Sequence, residues 1–273
     1  MSLSTSIQTY DASVAIALIQ ADEDGPFTWA EWDQIFADAL VSTRTTGPGP
    51  AFNDSERDWW TLLTLLTKLE WMKECHRDDD LDDGLWMSYA ATEIDFFHVR
   101  FRSMLDHLAD LLGRCATKPA TVPHTFNDLK KFLKNPAKKP LFGPLGDEVL
   151  ALIEDAQWAD DVRDVRDDIV HRGADTLVFP DKADILFQVQ QREKRLVLLE
   201  GVMHNQNIVD FRKYAALTLG LLMTWRERVA SLLRRGIYLD GDPPGGGWNR
   251  HSGLELLSDW SELLLEPTTK TTP

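Results

Sequence analysis

The stretch LWMSYAATEIDFFHVRFRSMLDHLADLLGR, Leu85–Arg114, decides the fold class. Trp86, Ala90, Ile94, Phe97, Phe101, Leu105, Leu108 and Leu112 recur every three or four residues, which is the apolar stripe of an amphipathic helix rather than the alternation of a strand. A polar row runs beside it: Asp95, His98, Arg102 and Asp106. A helix of about thirty residues needs long partners, and the flanking sequence supplies them. Upstream, Ser55 to His76 places Leu62, Leu65, Leu66, Leu69 and Met72 at helical spacing. The acidic run Asp78–Asp83 then forms a solvated turn whose charge favours the start of the next helix.

Downstream, a short basic helix is predicted at Phe126–Lys134, followed by NPAKKP at 135–140. Leu145 to Arg172 reads as one helix burying Leu150, Ile153, Trp158, Val162, Val165 and Ile169, with Gly173 as its stop. Thr176–Phe179, Ile185–Val189 and Arg195–Glu200 are short β-branched or alternating runs split by Pro180-Asp181 and by QREK, and predict a small β-hairpin or meander. A last long helix is expected over Ile208–Arg235, and an amphipathic one over Leu254–Leu265. Before the bundle, Asp11–Gln20 and Trp29–Val41 read as helices, the second opened by the capping pair Thr28 and Glu31. GPGP at 47–50 punctuates the chain after them.

The predicted architecture is therefore all-α: an up-and-down bundle of four to five helices with a small β insertion. Residues 1–46 form an N-terminal helical appendage, 53–236 the bundle with its insertion at about 176–200, and 237–273 a loop and C-terminal helix. No βαβ alternation supports a doubly wound sheet.

Composition narrows the function. Among 273 residues, 43% are apolar, including 10 Trp and 12 Phe, enough for a packed core, and the net charge is −15. That charge excludes general coating of nucleic acid, which needs a basic face, so any RNA-directed activity must rest on a local positive site. Cys75 and Cys115 fall in different predicted helices without metal-ligand spacing, which fits reduced thiols and a cytoplasmic location. The N-terminus lacks a signal-peptide pattern, and the longest apolar run, Tyr214–Trp225, is shorter than the ~20 residues of a membrane span. Gly245–Gly247 has neither a strand before it nor a Lys-Thr/Ser after it, so it fails as a phosphate loop, and no cofactor is expected.

The chemistry is concentrated in RDVRDDIVHRGADTLVF, which begins at Arg163. Arg166 and His171 are separated by four residues at a helix end, with polar Asp167 after the arginine and Gly173 closing the turn. An imidazole titrates near neutrality and shuttles protons, while a guanidinium keeps its charge and grips phosphate oxygens. Asp167, four residues before the histidine, and Asp168, three before, are both placed to orient it, Asp167 being the expected one. On a regular helix Arg166 and His171 diverge by about 140°, so either the helix end loosens or a second subunit completes the site. A rival with the same spacing, Arg102 and His107, lies inside a helix. Arg102, Asp106 and His98 are candidates to line the facing groove, and Lys130 and Lys131 to track an RNA backbone.

This segment resembles the Arg-x4–6-His signature of the HEPN superfamily, helical-bundle proteins of prokaryotic toxin and antiviral systems. The resemblance implies a metal-independent endoribonuclease leaving a 2′,3′-cyclic phosphate, with RNA as substrate, a homodimer that brings two motifs together, and an antitoxin or regulatory protein as a further partner. Two other classes stay open. One is a non-catalytic HEPN-like dimeric module that binds a regulatory partner. The other is a di-metal carboxylate bundle, because Asp95–His98 and Asp168–His171 both set a carboxylate and an imidazole three residues apart.

Overall fold

A computed structural model of the chain describes residues 49–76, 83–179, 184–189, 202–205, 208–236 and 252–264. The helices expected at Asp11–Gln20 and Trp29–Val41, the run Arg195–Glu200 and the GDPPGGG stretch lie outside the described residues.

The protein is a helical bundle carrying a small antiparallel sheet. Helix α1, Gly49–His76, and helix α2, Asp83–Arg114, form its first antiparallel pair. Lys68 near the end of α1 bridges Glu93 early in α2, whereas Asp58 near its start meets Arg100 and His107 further along. Every residue of the predicted α2 stripe, from Trp86 to Leu112, is buried, as are all five apolar positions predicted on α1. α1 begins at Gly49, earlier than Ser55: Pro50 falls in the first turn, where a proline removes an N–H that has no intrahelical partner. The second half of GPGP therefore opens a helix.

Helix α3, Phe126–Leu133, is capped by the Thr125 hydroxyl, which accepts from the Asp128 N–H. A 3-10 stretch over Pro136–Leu145 leads to α4, Gly146–Asp155, and α5, Trp158–Arg172. The single helix expected over Leu145–Arg172 is thus two, broken at Ala156 and Gln157. Buried Ile153, Ala156, Ala159 and Val162 follow one another at intervals of three. On an unbroken helix such a stripe drifts by about 60° per step, and the break resets its phase toward the core.

Strands β1, Thr176–Phe179, β2, Leu186–Val189, β3, Met203–Asn205, and β4, Ile208–Asp210, pair antiparallel in the order β1-β2-β4-β3. The sheet lies against α2, where the Thr176 hydroxyl donates to Asp95. Its last strand occupies residues expected to begin the final helix. Ile208 and Val209 are β-branched and pair with β2 or β3, and the Asp210 carboxylate accepts from the Arg212 N–H, capping helix α6, Phe211–Gly236. α6 is buried on nearly every side, from Phe211 to Leu233, and is the central helix. Helix α7, Ser252–Glu262, completes the bundle with Leu257 and Trp260 in the core. No described helix is long and apolar enough to cross a membrane.

Candidate functional site

Helix α5 carries eight Asp and Arg side chains among its fifteen residues. α5 stops at Gly173, whose left-handed conformation (φ 63°) suits a residue without Cβ, and the N–H groups of Gly173 and Ala174 both turn back to the Asp168 carbonyl. Because the chain turns sharply here, His171 sits on the last turn with its side chain 63% exposed, while Arg166 is 26% exposed.

The two meet. Arg166 Nη1 lies 2.8 Å from His171 Nε2 and donates at 2.8 Å to Asp167 Oδ1. His171 Nε2 is 3.9 Å from the same Asp167 oxygen. The divergence expected from helical geometry is overcome, because that angle governs only the Cα–Cβ directions. Arginine's long stem carries its guanidinium around the helix end, so no loosening of the helix is needed. A guanidinium only donates, so Nε2 is the lone-pair nitrogen and the ring proton resides on Nδ1. The arrangement holds the lone pair of that ring nitrogen against a permanent cation. The Arg166 Nε–H is buried with no hydrogen-bond partner, a donor left uncommitted inside the cluster.

From α2, Arg102 and Asp106 face this helix. Arg102 Nη2 pairs with Asp106 Oδ1 at 3.0 Å, and that oxygen also accepts the Phe126 N–H at 2.7 Å, which ties α3 to the site. Burial makes the Arg102 guanidinium easier to deprotonate than usual, with the charges of Asp106, Arg163, Asp167 and Arg166 acting on it as well. Burial also raises the Asp106 carboxyl above the usual carboxylate range, against the pull of Arg102 and the Phe126 N–H. Arg163 bonds Asp160 at 3.0 Å and Asp164 at 2.6 Å, and reaches Asp167 at 4.0 Å. Burial alone works to lower its pKa, but those carboxylates prevail and hold it above the ordinary value. Lys130 on α3 pairs with Asp160. Arg102, Arg163, Arg166 and Lys130 are thereby matched by Asp106, Asp160, Asp164 and Asp167, and the cluster is charge-balanced as it stands.

Other expected members lie elsewhere. His98 is fully buried in the core, its Nδ1 on the Ile94 carbonyl at 2.7 Å and its Nε2 on the Tyr214 hydroxyl at 2.9 Å, and burial lowers its pKa to about 4. It is walled by Phe97, Phe187 and Tyr214 and does not line the groove. Lys131 is exposed and pairs with Asp128 of its own helix at 3.5 Å. The rival pair splits: Arg102 turns to α5, while His107 turns to α1.

There His107 Nε2 lies 3.3 Å from buried Asp58 and 3.2 Å from the Ser103 hydroxyl, and Arg100 reaches Asp58 at 3.1 Å. Burial works to raise the Asp58 carboxyl, but hydrogen bonds from His107 and Ser103, with the charges of His107 and Arg100, hold it below its ordinary value. The Asp58 hydrogen bond in turn raises His107. Serine and aspartate share one ring nitrogen, whereas a nucleophile relay needs them on opposite nitrogens, so this cluster is a helix clamp.

The di-metal geometry is not assembled. Both His98 nitrogens are engaged, Asp95 accepts from Thr176, and Asp168 pairs with Arg172. Among the described residues no group of three or more His, Cys, Asp and Glu side chains converges as metal ligands would.

Asp160 and Asp164 join this cluster without having been singled out from the sequence, whereas Arg163 was expected to pair with Asp167 four residues on and reaches it at 4.0 Å. The signal was present in the alternation Asp160-x-x-Arg163-Asp164-x-Arg166-Asp167, whose spacing of three and four stacks opposite charges along one helical face. Comparison of the chain with models of known families, with curated proteins and with solved structures gives no match in any of the three.

Proposed function

We propose that the Arg166–His171 site is a metal-independent endoribonuclease centre of HEPN type, of the kind used by toxins and antiviral effectors. The observation that carries the reading is the 2.8 Å contact between the Arg166 guanidinium and His171 Nε2 at an exposed helix end. Support comes from the Arg102 guanidinium of the facing helix, which interacts with both Arg166 and Asp167.

In the reaction, the 2′-hydroxyl oxygen attacks the adjacent phosphorus. The 2′-O–P bond forms and the P–O5′ bond breaks, leaving a 2′,3′-cyclic phosphate and a 5′-hydroxyl. His171 Nε2 takes the 2′-hydroxyl proton once phosphate draws the guanidinium off it. Arg166 moves its donors from Asp167 and His171 to the non-bridging oxygens, where charge builds. Arg102 is the second cation. The proton that His171 takes from the 2′-hydroxyl is then passed to the departing 5′-oxygen, and a homodimer would place a second motif beside the first. The charge balance of the cluster favours one other reading, a partner-binding HEPN-like dimer without turnover, whose partner would be an antitoxin or regulatory protein.

The test is a 5′-labelled oligoribonucleotide incubated with the purified protein in excess EDTA. The expected products carry a cyclic phosphate, a 2′-deoxy substitution at the scissile position blocks the cut, and Arg166→Ala and His171→Ala each lose at least about a hundredfold in rate. Absence of cleavage, or variants that cut as fast as the parent, would leave the binding module as the reading.

A further inference from the structure

The chain reverses its charge in one described stretch. Residues 114–145, which run from the end of α2 through α3 and the 3-10 stretch, hold Arg114 and six lysines against the single carboxylate of Asp128, in a protein of net charge −15. Four of those cations are already matched: Arg114 by Asp110, Lys130 by Asp160, Lys131 by Asp128 and Lys139 by Asp147. Lys118, Lys134 and Lys138 have no ion pair among the described residues. Lys118 and Lys134 are exposed, and Lys138 is half-buried with its ammonium 5.2 Å from the centre of the Phe132 ring. Thr117 bonds the Leu141 carbonyl through both its N–H and its hydroxyl, which sets Lys118 beside the end of the 3-10 stretch. The neighbouring α4 does not cancel the surplus. Its Asp147, Glu148 and Asp155 are taken by Lys139, Arg235 and Arg228, and Glu154 is its one other acidic side chain.

Two bonds tie this surface to the Arg166 cluster. The Phe126 N–H donates at 2.7 Å to Asp106, which also holds Arg102, and Lys130 reaches Asp160 at the start of α5. From Phe126 to Lys134, at its C-cap, α3 advances about 12 Å. At the ~3.4 Å spacing of phosphates in a stacked strand, that is about four nucleotides. The surface suits a phosphate backbone better than a protein. None of the well-exposed large hydrophobic side chains of the described structure falls within 114–145, so the apolar centre of a protein interface is missing. Ammonium groups bind phosphates as point charges whatever the base, and Lys138 is held in place by the ring beneath it. Three uncommitted cations neutralise a short run of one backbone, not the two of a duplex.

We propose that Lys118, Lys134 and Lys138 hold the backbone of single-stranded RNA where it leads away from the Arg166–His171 site along α3. The choice of RNA rests on the ribonuclease reading of that site, whereas the surplus of positive charge stands without it.

The probe is a labelled 2′-O-methyl oligoribonucleotide of about twelve nucleotides, which cannot be cut, followed by fluorescence anisotropy against the full chain over a range of salt. The variants are Lys134→Gln/Lys138→Gln and, separately, Lys118→Gln, with circular dichroism confirming the fold. The competitors are a polyglutamate peptide and an RNA duplex of the same length. The expected result is salt-dependent binding of the single strand that the double variant weakens at least about tenfold, with the slope of log affinity against log salt reduced by about 1.4, and a smaller loss in Lys118→Gln. No binding by the parent, or unchanged affinity in the double variant, would overturn the proposal. Polyglutamate competing as well as the single strand would overturn it in favour of an acidic protein, and the duplex doing so would overturn the single-strand assignment. The cleavable form of the same oligonucleotide separates this proposal from the reading it rests on. Lysine-dependent binding without cleavage keeps the surface and removes the ribonuclease, and cleavage with no lysine dependence does the reverse.

Discussion

Arg102–His107 and Arg166–His171 share one spacing and do opposite things. Both pairs begin about 140° apart on a regular helix. In the interior of α2 the members part: Arg102 pairs with Asp106 of its own helix, and His107 turns to Asp58 on α1. At the end of α5 no following turn stands in the way, and the guanidinium of Arg166 folds back onto the ring. The spacing therefore does not bring the two side chains together; the helix end does. His98 marks the other extreme, an imidazole with both nitrogens engaged and no route to solvent.

The sharpest break between the two pairs is catalytic. His171→Ala is expected to reduce RNA cleavage by about a hundredfold or more, whereas His107→Ala leaves it within about threefold, both read by initial rates on one oligonucleotide. A reversal of those effects would transfer the site to α2.

Acid separates the buried histidine from the clamped one. With its folded pKa depressed to about 4, His98 stays neutral while the unfolded chain takes up a proton below about 6.5. Its contribution to stability is therefore lost as pH falls across that window, by roughly 3 kcal/mol at its lower end. Urea titrations between those limits should show a shallower acid loss in His98→Gln than in the parent.

Asp58→Ala removes the shared partner of Arg100 and His107. It should cost about 2 kcal/mol in urea unfolding, allowing for the partial exposure of both cations, and leave cleavage unchanged. The clamp also has its own pH signature. The raised folded pKa of His107 means that the pair contributes fully below the unfolded value of about 6.5 and fades as pH rises through the elevated one. The lowered Asp58 value sets the other limit, because that contribution is present above an ordinary carboxylate pKa and fades as acid protonates Asp58. His107→Gln should flatten the stability profile on the alkaline side alone. The smallest effect belongs to Lys131→Ala, which should change neither cleavage nor stability measurably, in contrast to Lys130→Ala, which removes the pairing of α3 with Asp160.

The apolar stripe of α2 was legible in full, because helical periodicity is a local property and every predicted position is buried. β4 was not: Ile208-Val209-Asp210 adjoins a long helix, and only pairing across the sheet reveals that the helix begins at Phe211. The break at Ala156–Gln157 was likewise hidden, since no Gly or Pro marks it and only the threefold spacing of buried residues hints at it. Of the residues singled out from the sequence, Arg166, Asp167 and His171 do meet at the end of α5, and Arg102 and Asp106 pair on α2, because three- and four-residue spacings are local properties of a helix. It misjudged His98, whose row position is polar by pattern but whose side chain is enclosed by α6 and the sheet, both distant in sequence.

The contact at the end of α5 is tested most directly by the ring nitrogens of His171 in long-range 15N–1H NMR at about pH 8, above the ordinary histidine range. The geometry predicts a proton on Nδ1 and a bare, hydrogen-bonded Nε2 in the parent chain, with the Nε2 signal shifting in Arg166→Gln. A proton on Nε2, or an Nε2 signal indifferent to that substitution, would contradict it.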